Sequence, residues 1–131
     1  MNQAITDDIG KLILRLTLGI LVLFHGISKI THGIGPIESM LEGVGLPSHL
    51  AYGVYIGEVL GPILVLIGFY ARIGAALIVI NMLFAFLLAH RQELLALSPH
   101  GGWALELQGF FLFTALALVF TGPGRFSINN R

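Results

Sequence analysis

The sequence predicts an all-α membrane protein, a four-transmembrane-helix bundle with a short interfacial helix in its first external loop. Three observations predict it. First, the 131 residues are 56% apolar and only 11% charged, with a mean hydropathy of +0.89. A soluble domain carries about 25% charged residues, so there is too little polar sequence to cover a water-solvated core. Second, four apolar segments, at 9–30, 52–70, 73–90 and 103–120, match the roughly 20 residues needed to cross a hydrocarbon layer of about 30 Å. Third, Lys and Arg are distributed unevenly among the connections. The four segments occupy most of the chain, which leaves 1–131 as a single integral membrane domain.

The same figures exclude several classes. A net charge of zero and a pI near 7.0 argue against a nucleic-acid partner, which calls for a basic footprint. With no cysteine there is no disulfide, thiolate metal site or dithiol relay. No two histidines stand at i, i+3 or i+4 within a span, so no local metal or haem ligand pair is expected, and no nucleotide loop or nucleophile elbow is present.

The first segment is interrupted by Lys11, Arg15, His25, Ser28 and Lys29. Asp7 and Asp8 precede it and no small-residue cleavage site follows, so it is expected to remain a helix and not to act as a signal peptide. The connection at 31–50 is long enough for an element of its own. Pro36 suits a first helical position, and Ile37, Met40, Leu41 and Val44 recur at helical spacing, with Glu38 and Glu42 turned away and Gly43 and Gly45 ending the turn. This short helix either lids the bundle or rests on lipid headgroups.

The second segment carries one charge, Glu58. Gly53, Gly57, Gly61 and Gly68 fall within an arc of about 80° at 100° per residue, the small-residue face by which membrane helices approach closely. That face admits packing inside the bundle or a homo-oligomeric contact through Gly53, Gly57 and Gly61. Gly19 and Gly26 offer the first segment a similar face. Pro62 cannot donate to the carbonyl of Glu58, four residues back, so a carboxylate and a freed carbonyl coincide inside the membrane. The third segment holds Asn81, expected to hydrogen-bond between helices, and ends at His90. The fourth contains Glu106 and Gln108, and below Glu106 the face of Phe110, Phe113, Ala117 and Phe120 suits an aromatic floor for a flat ligand or, equally, ordinary helix packing. Trp103, Tyr52, Tyr55 and Tyr70 fit interfacial anchors.

Lys11 and Arg15, Arg72, and Arg125 and Arg131 mark the two termini and the turn at 70–73 as cytoplasmic by the positive-inside rule, and four spans return the tail to the starting side. The remaining polar groups then gather in the outer third. An ionisable side chain at the centre of a spanning helix costs about 2.5–3.5 kcal/mol and persists by pairing, lining a cavity or doing chemistry. Arg15, His25 and Lys29 project within about 80° of one another, and Glu58 and Glu106 are the carboxylates that would neutralise them. The candidate ligand-binding residues are therefore Arg15, His25, Lys29, Glu58 and Glu106, with His90 and Gln108 as secondary lining, in a cavity between the first, second and fourth spans.

In their order and spacing these residues resemble the DoxX family of small bacterial membrane proteins. The resemblance rests on Arg15-Leu16 with Gly19, on Phe24-His25-Gly26 and Lys29, and on Glu58, Gly61 and the run Gly68-Phe69-Tyr70-Ala71-Arg72-Ile73-Gly74-Ala75. It continues in Glu106 and the tail Gly122-Pro123-Gly124-Arg125-Phe126-Ser127-Ile128. It implies a four-helix inner-membrane protein with both termini in the cytoplasm. It also implies kinship with the quinone-reducing subunit of thiosulfate:quinone oxidoreductase and with membrane oxidoreductase complexes. The leading expectation is thus a redox-associated subunit that binds a quinone-like or lipid-like molecule, without a metal or covalent cofactor and alongside a redox partner protein. The competing expectations are a non-catalytic assembly or chaperone-like factor with purely structural ion pairs, and a small proton or solute conduit.

Overall fold

A computed structural model describes residues 2–88 and 95–131. Five helices form there: α1 (Gln3–His32), α2 (Gly35–Gly43), α3 (Ser48–Ile67), α4 (Ala71–Leu88) and α5 (Glu106–Thr121). Among the described residues there is no strand, only an isolated antiparallel bridge between Leu97 and Trp103. By length and composition α1, α3 and α4 are sufficient to cross a membrane, whereas α5 is apolar but has only 16 residues. It starts at Glu106, not at Trp103, because Trp103 folds back so that its ring lies on Gly109 and edge-on to Phe86. Trp103 therefore packs against the core rather than serving as a simple interfacial anchor.

α3 packs between α1 and α4, and α5 packs against the other sides of α1 and α4. Leu18 and Val22, Val65, Ile78 and Ala115 meet in the shared core. Around that core the outward faces stay apolar, with Phe24, Phe84, Phe110 and Phe120 all more than half exposed. A shell of this kind is matched to lipid, where burying apolar surface against water is not the driving force and close packing of small residues is. The glycines supply that packing. Gly61 of α3 and Gly74 of α4 lie face to face, each so close that a Cβ would come within 3 Å of the other's carbonyl oxygen. Gly57 receives Asn81, and Gly19 receives Leu66.

The expected continuous glycine groove on α3 is divided. Gly57 and Gly61 are covered by α4 of the same chain, Gly53 has open space beside it, and Gly68 ends the helix in the left-handed region at φ 70°. Two of the three glycines expected to serve an oligomer are thereby accounted for inside the molecule. α3 itself is irregular. It opens with a 3-10 turn, Ser48–Tyr52, and widens to a π segment, Ile56–Leu60, in which Gly61 N–H donates to the carbonyl of Ile56. Pro62 is the physical reason, since the carbonyl of Glu58 has no amide to receive. That carbonyl instead abuts the backbone of Gly26 on α1, where a Cβ would overlap it.

Helix α2 forms close to where the apolar spacing places it, but it ends at Gly43 and leaves Val44 half exposed outside. It packs on the start of α3, with Ile34, Leu41 and Ala51 as a small second core, so it lids this end of the bundle.

The opposite end is closed by Arg15. Its side chain is 1% exposed and donates to four backbone carbonyls: Nε to Val65 at 2.9 Å, Nη2 to Leu66 at 3.1 Å, and Nη1 to Pro123 at 3.1 Å and Phe126 at 2.7 Å. Val65 and Leu66 lie in the last turn of α3, whose carbonyls have no helical partners and carry the negative end of the helix dipole. The tail is held to the same turn by Asn129, whose N–H donates to Gly68 and whose Oδ1 accepts from Tyr70 N–H. Arg15→Leu is expected to take the donor from four carbonyls, two buried and two part-buried, and to cost on the order of 3 kcal/mol or more. Arg15→Lys, which keeps the charge but not the fork, should lose less. Thermal unfolding in detergent checks both, and equal melting of Arg15→Leu and wild type would contradict the assignment.

Candidate functional site

The polar cluster inside the membrane region is built on three helices. Glu58, 5% exposed, is carried by the π segment of α3. The Nζ of Lys29 on α1 lies 2.6 Å from its Oε1, and the amide of Asn81 on α4 donates to its Oε2 at 2.8 Å. Tyr55 Oη donates to the carbonyl of Lys29 at 3.3 Å, one turn from the end of α1. Both carboxylate oxygens thus have a donor, one of them charged, which is the condition under which a buried charge is tolerated.

Beside this cluster lies a cavity of about 490 Å³. Its floor is Lys29, Glu58 and Asn81; its walls are α3 and α4; its roof is α2, through Ile37, Met40 and Leu41. Apart from the floor the lining is apolar. Gly53, which has no neighbour within 4 Å of a built Cβ, together with Ile56, Ile80 and Phe84 forms a rim, and those three apolar residues are each at least half exposed. The cavity therefore opens sideways, between α3 and α4, toward the lipid. An apolar chamber of a few hundred Å³ with a few convergent polar groups is the usual form of a small-molecule site.

Of the seven candidate residues, the structure brings two together, Lys29 and Glu58. Arg15 is spent on carbonyls at the other end and is paired with neither carboxylate. His25 is exposed and set edge-on against Phe111 of α5, with ring centroids 5.6 Å apart. Glu106 is exposed at the first turn of α5, where a carboxylate complements the helix dipole, and among the described residues it makes no ion pair. Gln108 is half buried on α5, and neither it nor Glu106 lines the cavity. His90 lies outside the described residues. The expected aromatic floor is also corrected: Phe110, Phe113 and Phe120 are 75%, 62% and 74% exposed and face the lipid. The cavity lies between the second and third spans beneath α2, with only Lys29 contributed by the first. Asn81, expected only as an interhelical hydrogen bond, makes that bond to Glu58 itself and belongs to the site. Among the described residues no group of three or more His, Asp or Glu side chains converges in a form that would hold a metal ion.

An α-helical membrane protein with a lipid-matched exterior and a part-buried ion pair beside an apolar cavity is the class defined by this fold and site. The DoxX family model matches residues 10–91, and the chain belongs to the DoxX family. It is 32% identical over 93% of its length to a Bacillus subtilis protein named "Putative oxidoreductase CatD", of which 84% is covered. It is 31% identical over 90% of its length to an uncharacterised membrane protein of Mycobacterium tuberculosis, Rv3486, covering 78% of it. It is likewise 31% identical over 94% of its length to the inner membrane protein YqjF of Escherichia coli, covering 92%. No solved structure shows a significant match to the chain.

Lys29→Met and Glu58→Gln are each expected to lower the melting temperature, because each strands the other member of a pair in an apolar setting. The double variant should lose less than the two losses added, by about 1–3 kcal/mol of coupling. Additivity within about 0.5 kcal/mol would show that the pair does not form in the bilayer.

Proposed function

We propose that this DoxX protein is the membrane-bound, redox-associated component of an oxidoreductase system, and that it binds the head of a quinone-like molecule in the cavity between α3 and α4. The observation that carries this reading is the polar floor of Lys29, Glu58 and Asn81 under an otherwise apolar chamber that opens to lipid. A head group with carbonyl oxygens fits such a floor, and an apolar tail fits the lateral opening. The name of the Bacillus relative supports the redox part of the reading.

In this reading the chain crosses the inner membrane four times, with α1, α3, α4 and α5, and both termini are cytoplasmic. The relative named as an Escherichia coli inner membrane protein supports the location, and the placement of Lys11, Arg72, Arg125 and Arg131 at one end supports the orientation. A bound quinone supplies two-electron, two-proton chemistry. The chain's own residues bind and exchange protons: Lys29 and the Asn81 amide hold head-group oxygens, Glu58 releases and takes up a proton at its carboxylate, and α2 keeps water from the chamber. The electrons come from a partner redox protein, because the chain carries no cysteine and Lys29, Glu58 and Asn81 bear no redox-active side chain. One observation favours a second reading: Lys29 and Asn81 already satisfy both oxygens of Glu58, as they would in a purely structural pair holding α1, α3 and α4 in register.

Organic extraction of the detergent-purified protein, followed by mass spectrometry, separates the two. Quinone should co-purify at near one equivalent with the wild type. Gly53→Phe, at a position where an added Cβ meets no atom within 4 Å, should set a ring in the opening and retain less than a tenth of it while melting normally. Glu58→Gln should weaken retention about tenfold, the weight of a hydrogen bond to a charged group. Quinone no more abundant than in an unrelated membrane protein would overturn the binding reading and leave the structural one.

A further inference from the structure

A second cavity lies at the opposite end of the molecule, where the two chain termini meet. It has a volume of about 330 Å³ and is lined by Asp8 and Lys11 of α1, Arg72 of α4, Thr121 of α5, and Gly124 and Arg125 of the tail, among others. Three cations from three separate elements face it against one carboxylate, a net charge of +2 among the residues that line it. Asp8 accepts from Arg125 Nε at 2.8 Å and stands 4.0 Å from Lys11 Nζ. Arg72 is pinned from behind, its Nη1 donating to the carbonyls of Val119 and Phe120 at 3.2 and 3.1 Å. These are the last carbonyls of α5 and fix the guanidinium in place.

The Gly-Pro-Gly loop lets Arg72 and Asp8 lie directly against the backbone of the tail. At Gly122 (φ 73°) a Cβ would stand 2.8 Å from Arg72 Nη2, and at Gly124 (φ 80°) a Cβ would stand 2.9 Å from Asp8 Oδ1. Side chains at these two positions would push the charged groups out of the bowl. Asp8 offsets only one of the three positive charges, so the lining keeps an excess that favours an anion, and a guanidinium fork such as that of Arg72 matches phosphate oxygens. Ile73 and Phe120, the sequence neighbours of Arg72 and Thr121, are each more than half exposed, so the cavity lies at the level where apolar, lipid-matched surface gives way to polar surface.

We infer that this cavity is a phosphate-binding site, formed by Lys11, Arg72 and Arg125, which takes the phosphate of an anionic lipid headgroup or of a free phosphate ester. A basic pocket at a helix end facing an anionic leaflet recognises such groups at about 1 kcal/mol per Lys or Arg, or about fivefold in affinity. A choline-bearing headgroup carries its own cation and is disfavoured by the net positive bowl.

Native mass spectrometry of the full chain in detergent tests this with phosphatidylglycerol, phosphatidylcholine and inorganic phosphate as probes. Phosphatidylglycerol should bind at least fivefold more tightly than phosphatidylcholine. Lys11→Gln should weaken it by about fivefold. Thr121→Glu should abolish it while melting as the wild type does, since Thr121 is exposed and its Oγ1 donates to the carbonyl of the next residue, Gly122. Competition by inorganic phosphate identifies a site open to soluble phosphate esters, and its absence identifies a lipid headgroup site; either supports the inference. Equal binding of the two lipids with no binding of phosphate, or binding unchanged in both variants, overturns it.

Discussion

An ammonium and a carboxylate set 2.6 Å apart between apolar helices constrain everything around them. Neither charge is tolerated in hydrocarbon without the other, so α1 and α3 must approach until the pair can form. The approach is possible because Gly26 presents no side chain to the carbonyl of Glu58. That carbonyl is turned outward because Pro62 withholds the amide that would have received it. The π segment absorbs the mismatch and aims the carboxylate at Asn81, which is seated against Gly57. One ion pair and its Asn81 hydrogen bond thus link three helices, and Gly26 and Gly57 supply the close approaches beside it.

The two ends of the molecule are built on opposite principles. At the terminal end Arg15 gathers the last turn of α3 and the tail by donating to four carbonyls, a fully satisfied network with no room for a ligand beside the guanidinium. At the other end α2 roofs α3 and α4 without filling the space between them, leaving about 490 Å³ above the ion pair. Rigidity at one end and a chamber at the other fit a protein whose polar floor must be held still while its contents change. Preorganisation of this kind lowers the cost of ordering groups on binding.

Much of this was legible in the sequence. The apolar lengths located α3 and α4 to within four residues and α1 to within six, its polar first turns lying outside the apolar run, and Pro36 with its apolar spacing located α2. The scarcity of charge picked out Lys29 and Glu58, because each has few reasons to stand in an apolar segment. Other features left no trace that periodicity can read. Arg15 is bound by backbone carbonyls 50 or more residues away, and carbonyls carry no residue-type signature. α5 is apolar on every side, so its aromatic stripe could be assigned to either face, and the inward assignment of Phe110, Phe113 and Phe120 was the wrong one. His25, Glu106 and Gln108 share a depth with Glu58 but not an azimuth; depth follows from counting residues, whereas azimuth depends on which glycines admit which neighbour. Asn81 was recognised as an interhelical donor, yet its acceptor depended on the π segment turning Glu58 toward α4.

The central claim is that the chamber above Lys29 and Glu58 is a binding site rather than a packing gap. An experimental structure of the protein in nanodiscs made with its native membrane extract measures this most directly. Density is expected for an apolar chain entering between α3 and α4 past Gly53, with a polar head within hydrogen-bonding distance of Lys29, Glu58 or Asn81. A chamber closed by inward movement of Ile56, Ile80 and Phe84, with the ion pair sealed against all ligands, would contradict it.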